Sequence, residues 1–116
     1  MDQKEFEQLV KTLCEQTSLP QALDLLKQSA DEEVAAAAES LTGQFALAEV
    51  EGEKRIYHVT LEADDNGEEQ EYLEHVMNEG EHVIKFVAWF FDAQFGIKQK
   101  DTYQAAGKTY QQPKRK

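Results

Sequence analysis

Cysteine is almost missing from this sequence of 116 residues: Cys14 stands alone, so no disulfide can form within the chain. Proline occurs only at Pro20 and Pro113, and the stretch between them is free of the residue that most firmly breaks helices and strands. Long apolar runs are absent, and none approaches the roughly 18 residues of a membrane span. The opening stretch, Met1 to Glu7, has no apolar h-region, so no secretory leader is expected and the cytoplasm is the expected compartment. Leu, Ile, Val and Phe number 26 and all fall within residues 1–97. Residues 98–116 therefore have no conventional core-forming side chain.

Charge is what the sequence has in excess. The formal net charge is −11, from 23 acidic and 12 basic residues. It is unevenly spread: residues 1–97 carry 22 acidic against 6 basic side chains, a net of −16, whereas 98–116 carry a net of +5. Such a body repels nucleic acid and anionic membranes at long range and attracts basic partners. The length fits one domain. The expectation is a single acidic globular domain over 1–97 followed by a basic, flexible tail over 98–116.

The periodicities predict an α+β, helix-rich fold. Residues 2–17 place Phe6, Leu9, Val10, Leu13 and Cys14 at helical spacing, behind a first turn that holds Asp2, Glu5 and Glu7. Pro20 suits the first turn of a second helix, whose apolar face is Ala22, Leu23, Leu25 and Leu26. Asp31 reads as the N-cap of a third helix over 32–41, stopped by Gly43. Residues 44–63 change to strand, turn and strand: 45–50, then a turn at 51–54, then 55–61. In the second strand Tyr57, Val59 and Leu61 share one face, with Ile56, His58 and Thr60 on the other. A lone hairpin is marginal in water, so it must pack on helices or pair with another chain, and a homodimer is one such arrangement.

Two segments carry competing patterns. Residues 68–77 read as a helix with acidic Glu68, Glu69 and Glu71 at its start and a stripe of Tyr72, Leu73, Val76 and Met77. Residues 81–95 are rich in aromatics, yet Val83, Ile84, Phe86, Val87, Phe90, Phe91 and Phe95 cluster on one side at 100° per residue, which predicts a helix closed by Gly96. The alternative makes 68–91 additional antiparallel strands turning at 78–80. The expected order is three helices, a hairpin, two further helices and a disordered basic tail.

No catalytic constellation emerges. On a continuous helix Glu71, His75, Glu79 and His82 would share a face suited to a divalent metal, but Gly80 interrupts it and no second such motif exists, so no metal and no cofactor is expected. Ala106 to Thr109 resembles the end of a phosphate-binding loop but has Thr102 where the first glycine belongs. Cys14 lies on an apolar stripe, without the cationic neighbour a reactive thiol needs. The abundant carboxylates sit in turns and first helical turns, where no burial separates their pKa values for acid–base work.

These readings point to a non-enzymatic protein-interaction module, a regulator, inhibitor, adaptor or chaperone-like protein that binds a basic protein partner. The expected contact residues are Trp89, at the polar edge of its helix, with Phe86, and the acidic group Asp64, Asp65, Glu68 and Glu69. The alternative is a nucleic-acid- or ribosome-associated protein that uses Lys98, Lys100, Lys108, Lys114, Arg115 and Lys116 of the tail, with Tyr103 and Tyr110 interleaved. A small enzyme or ligand-binding protein with a pocket beside Tyr57 and His58 is the third reading. No membrane partner is expected.

Overall fold

Seven of the twelve residues between Ile84 and Phe95 are buried, and they face in every direction around a helix. A computed structural model describes residues 2–107, in which residues up to 40 and from 82 onward form one compact unit and Leu41–Glu81 a second. The fold is α+β, with five helices and one three-stranded antiparallel sheet among the described residues.

The helical unit consists of α1 (Gln3–Leu13), α2 (Leu19–Lys27), α3 (Glu32–Ser40), α4 (Ile84–Phe95) and α5 (Gln99–Ala106). Local chemistry starts each of the first three. Asp2 Oδ1 accepts the Glu5 N–H at 2.8 Å, Ser18 Oγ accepts that of Gln21 at 3.4 Å, and Asp31 Oδ1 accepts those of Glu33 and Val34 at 3.0 and 3.2 Å. The backbone N–H of Ile84 donates to His82 Nδ1 at 3.0 Å, and burial lowers the pKa of that ring, which keeps it in the accepting, neutral form. Gly96 ends α4 at φ +67°, where its N–H reaches Asp92 O and the Ile97 N–H reaches Phe91 O.

A helix that is apolar over most of its circumference, as α4 is from Ile84 to Phe91, needs cover on more than one side. Helix α4 packs on α1 and α5, α5 packs on α1, and α2 pairs with α3. Phe6 meets Phe91 edge-on with ring centroids 5.0 Å apart, and Phe90 meets Phe91 the same way at 5.2 Å. Phe86, Phe90 and Phe91 are fully buried. Each contributes roughly 1.5–3 kcal/mol relative to an exposed side chain.

The sheet unit is a meander of β1 (Phe45–Val50), β2 (Glu53–Ala63) and β3 (Glu69–Asn78), with β2 central. Glu51 and Gly52, at φ +52° and +83°, make the two-residue turn between β1 and β2, whose twist suits a hairpin. Phe45 pairs with His58 and Val50 with Glu53; Val59 pairs with Leu73 and Ala63 with Glu69. The β2–β3 register shifts between Ile56 and Tyr57, opposite Met77 and His75, which leaves Val76 as the extra residue of a bulge.

Three expectations resolve here. Residues 84–95 are helical, while 69–78 take the strand alternative, because pairing with β2 outweighs the helical spacing of Tyr72, Leu73, Val76 and Met77. The turn between the first two strands narrows to two residues. The stretch expected as a flexible tail from 98 instead begins with α5, whose Thr102, Tyr103, Ala105 and Ala106 are buried. Small and amphipathic side chains make this contact, so counting Leu, Ile, Val and Phe could not reveal it.

Among the described residues, the buried Thr102 hydroxyl has no hydrogen-bond partner. A partnerless buried hydroxyl is destabilising, and a methyl group of the same shape removes it. Thr102→Val is expected to raise unfolding stability by up to about 1 kcal/mol, and urea unfolding followed by circular dichroism checks this; a clear loss of stability contradicts it.

Candidate functional site

The sheet unit concentrates charge. Residues 41–81 contain 12 carboxylates against Lys54 and Arg55, a net of −10, nearly the whole net charge of the chain. One of the two cations is engaged locally: Arg55 Nη2 donates to Glu53 Oε1 at 2.9 Å, and the hydrogen bonds it makes to Glu53 and Tyr57 hold its pKa above the ordinary value. Asn78 Nδ2 donates to Glu53 Oε2 at 3.0 Å, and the His75 Nε2–H donates to Asn78 Oδ1 at 2.7 Å. These contacts link Arg55, Glu53, Asn78 and His75 at this end of the sheet, while the buried Arg55 Nε has no hydrogen-bond partner among the described residues. Glu49, Glu51, Glu62, Glu71, Glu74 and Glu79 stand exposed.

The same sheet leaves apolar side chains in water. Residues opposite each other across antiparallel strands share a face. One face runs from Ala46 and Ala48 through Tyr57 and Val59 to Leu73, with Leu61 beside Glu71 and Ala63 beside Glu69. Leu61 and Leu73 are 62% and 60% exposed. The other face holds Leu47, Ile56 and Met77 in one row and Phe45, His58 and Glu74 in the next. There Met77 is buried and Leu47 and Tyr72 are 56% and 48% exposed. His58 Nε2 lies 2.8 Å from Gln44 Oε1 and donates to it. Burial lowers the His58 pKa, and Glu74 opposes part of that shift.

The expected acidic contact group lies at the β2–β3 turn and divides by role. Asp64 shapes the turn: its Oδ1 accepts the Asn66 and Glu68 backbone N–H groups, both at 2.9 Å, and its Oδ2 accepts Gln70 Nε2 at 3.2 Å. Asp65, Glu68 and Glu69 are exposed beside it. Trp89 and Phe86 are elsewhere, with ring centroids 6.1 Å apart in the helical core; Trp89 is 6% exposed and Phe86 fully buried. Trp89 is covered although Asp92 on the polar side of the α4 wheel is exposed, so neither ring presents a surface.

Lys98 and Lys100 border an open depression of about 820 Å³ in the helical unit, in company with Asp2, Glu7 and Asp101. Its mixed charge gives no preference for an anion. Lys108, Lys114, Arg115 and Lys116, with Tyr110, lie outside the described residues. Gly107 closes a helix, the reverse of the strand-before, helix-after order of a phosphate-binding loop. Glu71 and His75 belong to β3 and Glu79 to the turn after it, so the helical face that would have grouped them with His82 does not form. Among the described residues, no three His, Cys, Asp or Glu side chains group around a point where a metal ion would sit. Cys14 is buried, and desolvation pushes its thiol up to about 11. No described helix is long and apolar enough to cross a membrane.

The exposed large apolar residues absent from the expected contact set are Leu47, Leu61, Tyr72 and Leu73. The alternation of Tyr57, Val59 and Leu61 marked one face of β2, but Leu73 joins that face only when 69–78 is a strand. Protein-family models, curated proteins and solved structures include no match to this chain.

Two outcomes follow from these local environments. Removing the Asp64 carboxylate frees two backbone N–H groups, and Asp64→Ala is expected to cost about 1–2 kcal/mol locally, read as roughly tenfold faster amide exchange at the tip of the β2–β3 hairpin; Asp64→Asn, which keeps the accepting oxygen, should restore most of it. Because the raised pKa leaves roughly a thousandth of Cys14 as thiolate at pH 8, a disulfide reagent should label it slowly in the native protein and rapidly in denaturant. Rapid native labelling contradicts the buried environment.

Proposed function

We propose that this protein is a non-enzymatic interaction module, acting in the cytoplasm as a regulator, inhibitor, adaptor or chaperone-like protein, and that its acidic body captures a basic protein partner. The observation that carries this reading is the coincidence, on one 41-residue sheet unit, of a net charge of −10 with exposed Leu47, Leu61, Tyr72 and Leu73. Carboxylates steer a cationic partner and raise its association rate, and apolar side chains supply the burial that holds it. A surface with only the first property would bind weakly at physiological salt, and one with only the second would invite aggregation.

The charge also separates this partner from others. Two copies joined through their sheets would oppose two charges of −10, which disfavours a homodimer on that surface. Nucleic acid meets the same repulsion, so the nucleic-acid reading rests on the basic residues after 107 alone.

The test is affinity capture from the source lysate, with and without nuclease treatment, using the full chain and a variant carrying Glu62→Gln, Glu69→Gln, Glu71→Gln and Glu74→Gln. The expected result is that the full chain retains a defined basic protein, that retention falls steeply between low and physiological salt, and that the variant loses it. Retention that disappears with nuclease transfers the function to nucleic acid. Retention of no basic protein overturns the reading.

A further inference from the structure

We infer that the sheet face bearing Tyr57, Val59, Leu61 and Leu73 is the docking surface for a cationic amphipathic helix of the partner. The inference rests on the interaction-module reading and names the surface and shape that reading leaves open. Val59 and Leu73 are directly opposed, Tyr57 lies one row toward the β1–β2 turn, and Leu61 one row toward the β2–β3 turn. The apolar stripe ends against Glu71 and Glu69, which share this face with Leu61 and Ala63.

Three features select the occupant. The first is width. Strands lie about 4.8 Å apart, so β1 and β3 are separated by about 10 Å, the breadth of one helix. A sheet face left without a layer is covered in most folds by a helix that lays its apolar stripe along it. The second is charge: an occupant with Lys or Arg flanking its apolar stripe pairs with Glu69 and Glu71, whereas a second copy of this sheet meets them with carboxylates. The basic residues of this chain beyond 107 have the charge but no Leu, Ile, Val or Phe to fill the stripe. The third is the state of the edges. Strand addition needs a long, regular edge. Here β1 has six residues, while the outer strand β3 carries Glu69, Glu71 and Glu74 and a bulge at Val76.

The experiment uses the full chain and a labelled 14-residue peptide of lysine and leucine with its leucines on one helical face, followed by fluorescence anisotropy at 0.15 M salt. Controls are a peptide of the same composition with leucines spread around the helix and an alternating lysine–leucine strand peptide. Leu61→Ser with Leu73→Ser tests the proposed face, and Leu47→Ser tests the opposite one. All three positions are more than half exposed, so the fold should survive, and circular dichroism verifies that.

The double variant should weaken the amphipathic helix at least tenfold, Leu47→Ser less than twofold, and the spread-leucine peptide should bind at least tenfold more weakly. Equal losses on both faces, or none on the proposed one, overturn the inference. So does tighter binding of the strand peptide, which would mean edge addition. Sedimentation showing a dimer that Leu61→Ser with Leu73→Ser dissolves would assign the face to a second copy and overturn it too. If the face variants change nothing while the full chain still captures a basic protein, the docking inference fails and the module reading stands. If the peptide docks as described but no basic protein is captured, the module reading fails.

Discussion

Helix α4 carries Phe86, Phe90 and Phe91 at full burial, and no single neighbour can cover the broad apolar surface that Ile84 and Phe86 to Phe91 present, although Asp92, Ala93 and Gln94 are exposed. That requirement organises the helical unit. Helices α1 and α5 must both pack against α4, and they also pack on each other. It explains why α5, built from Thr102, Tyr103, Ala105 and Ala106, is ordered although it lacks any large aliphatic residue: small side chains let its backbone approach aromatic neighbours closely. It also explains why Trp89 is a core residue. The helical wheel gave it a polar edge, but at the level of Trp89 that edge is covered, and the helix meets water only in its last turn at Asp92, Ala93 and Gln94.

The largest apolar residues are thereby gathered in one unit, and the sheet is poor in them. Among its residues only Leu41, Val76 and Met77 are buried apolar side chains. Its stability leans on main-chain pairing and on turn chemistry, chiefly the Asp64 carboxylate and the two positive-φ residues between β1 and β2. Twelve carboxylates on such a small unit repel one another, which works against compactness and for solubility. The same unit keeps Leu61 and Leu73 in water.

Much of the local architecture was legible in the residues. Asp31 announces a helix because a short polar side chain can satisfy a backbone N–H two or three residues on, Pro20 announces one because its missing N–H is not needed in a first turn, and Gly96 announces an end because it enters the left-handed region without a Cβ clash. The β1–β2 hairpin was legible from its alternation. The candidate surface was half legible. The acidic group at the turn could be read, but the partner face could not, because Leu73 and Tyr72 lie on one stripe of a helix and on opposite faces of a strand.

Composition and local hydrogen bonding thus settled the charge asymmetry, the helix starts and stops, and the α+β class, since those properties depend on residues within a few positions of each other. Tertiary contact alone decided three things: that 69–78 pairs as a strand, that 99–106 joins the helical core, and that Trp89 is hidden while Leu61 and Leu73 are not. Each depends on what lies opposite a residue in space. For Leu73 that is Val59, 14 positions earlier, and for Phe91 it is Phe6, at the far end of the chain. Neighbours at such separation leave no mark in a local pattern, because the same short stretch of apolar and acidic residues satisfies either period until a partner strand or helix favours one.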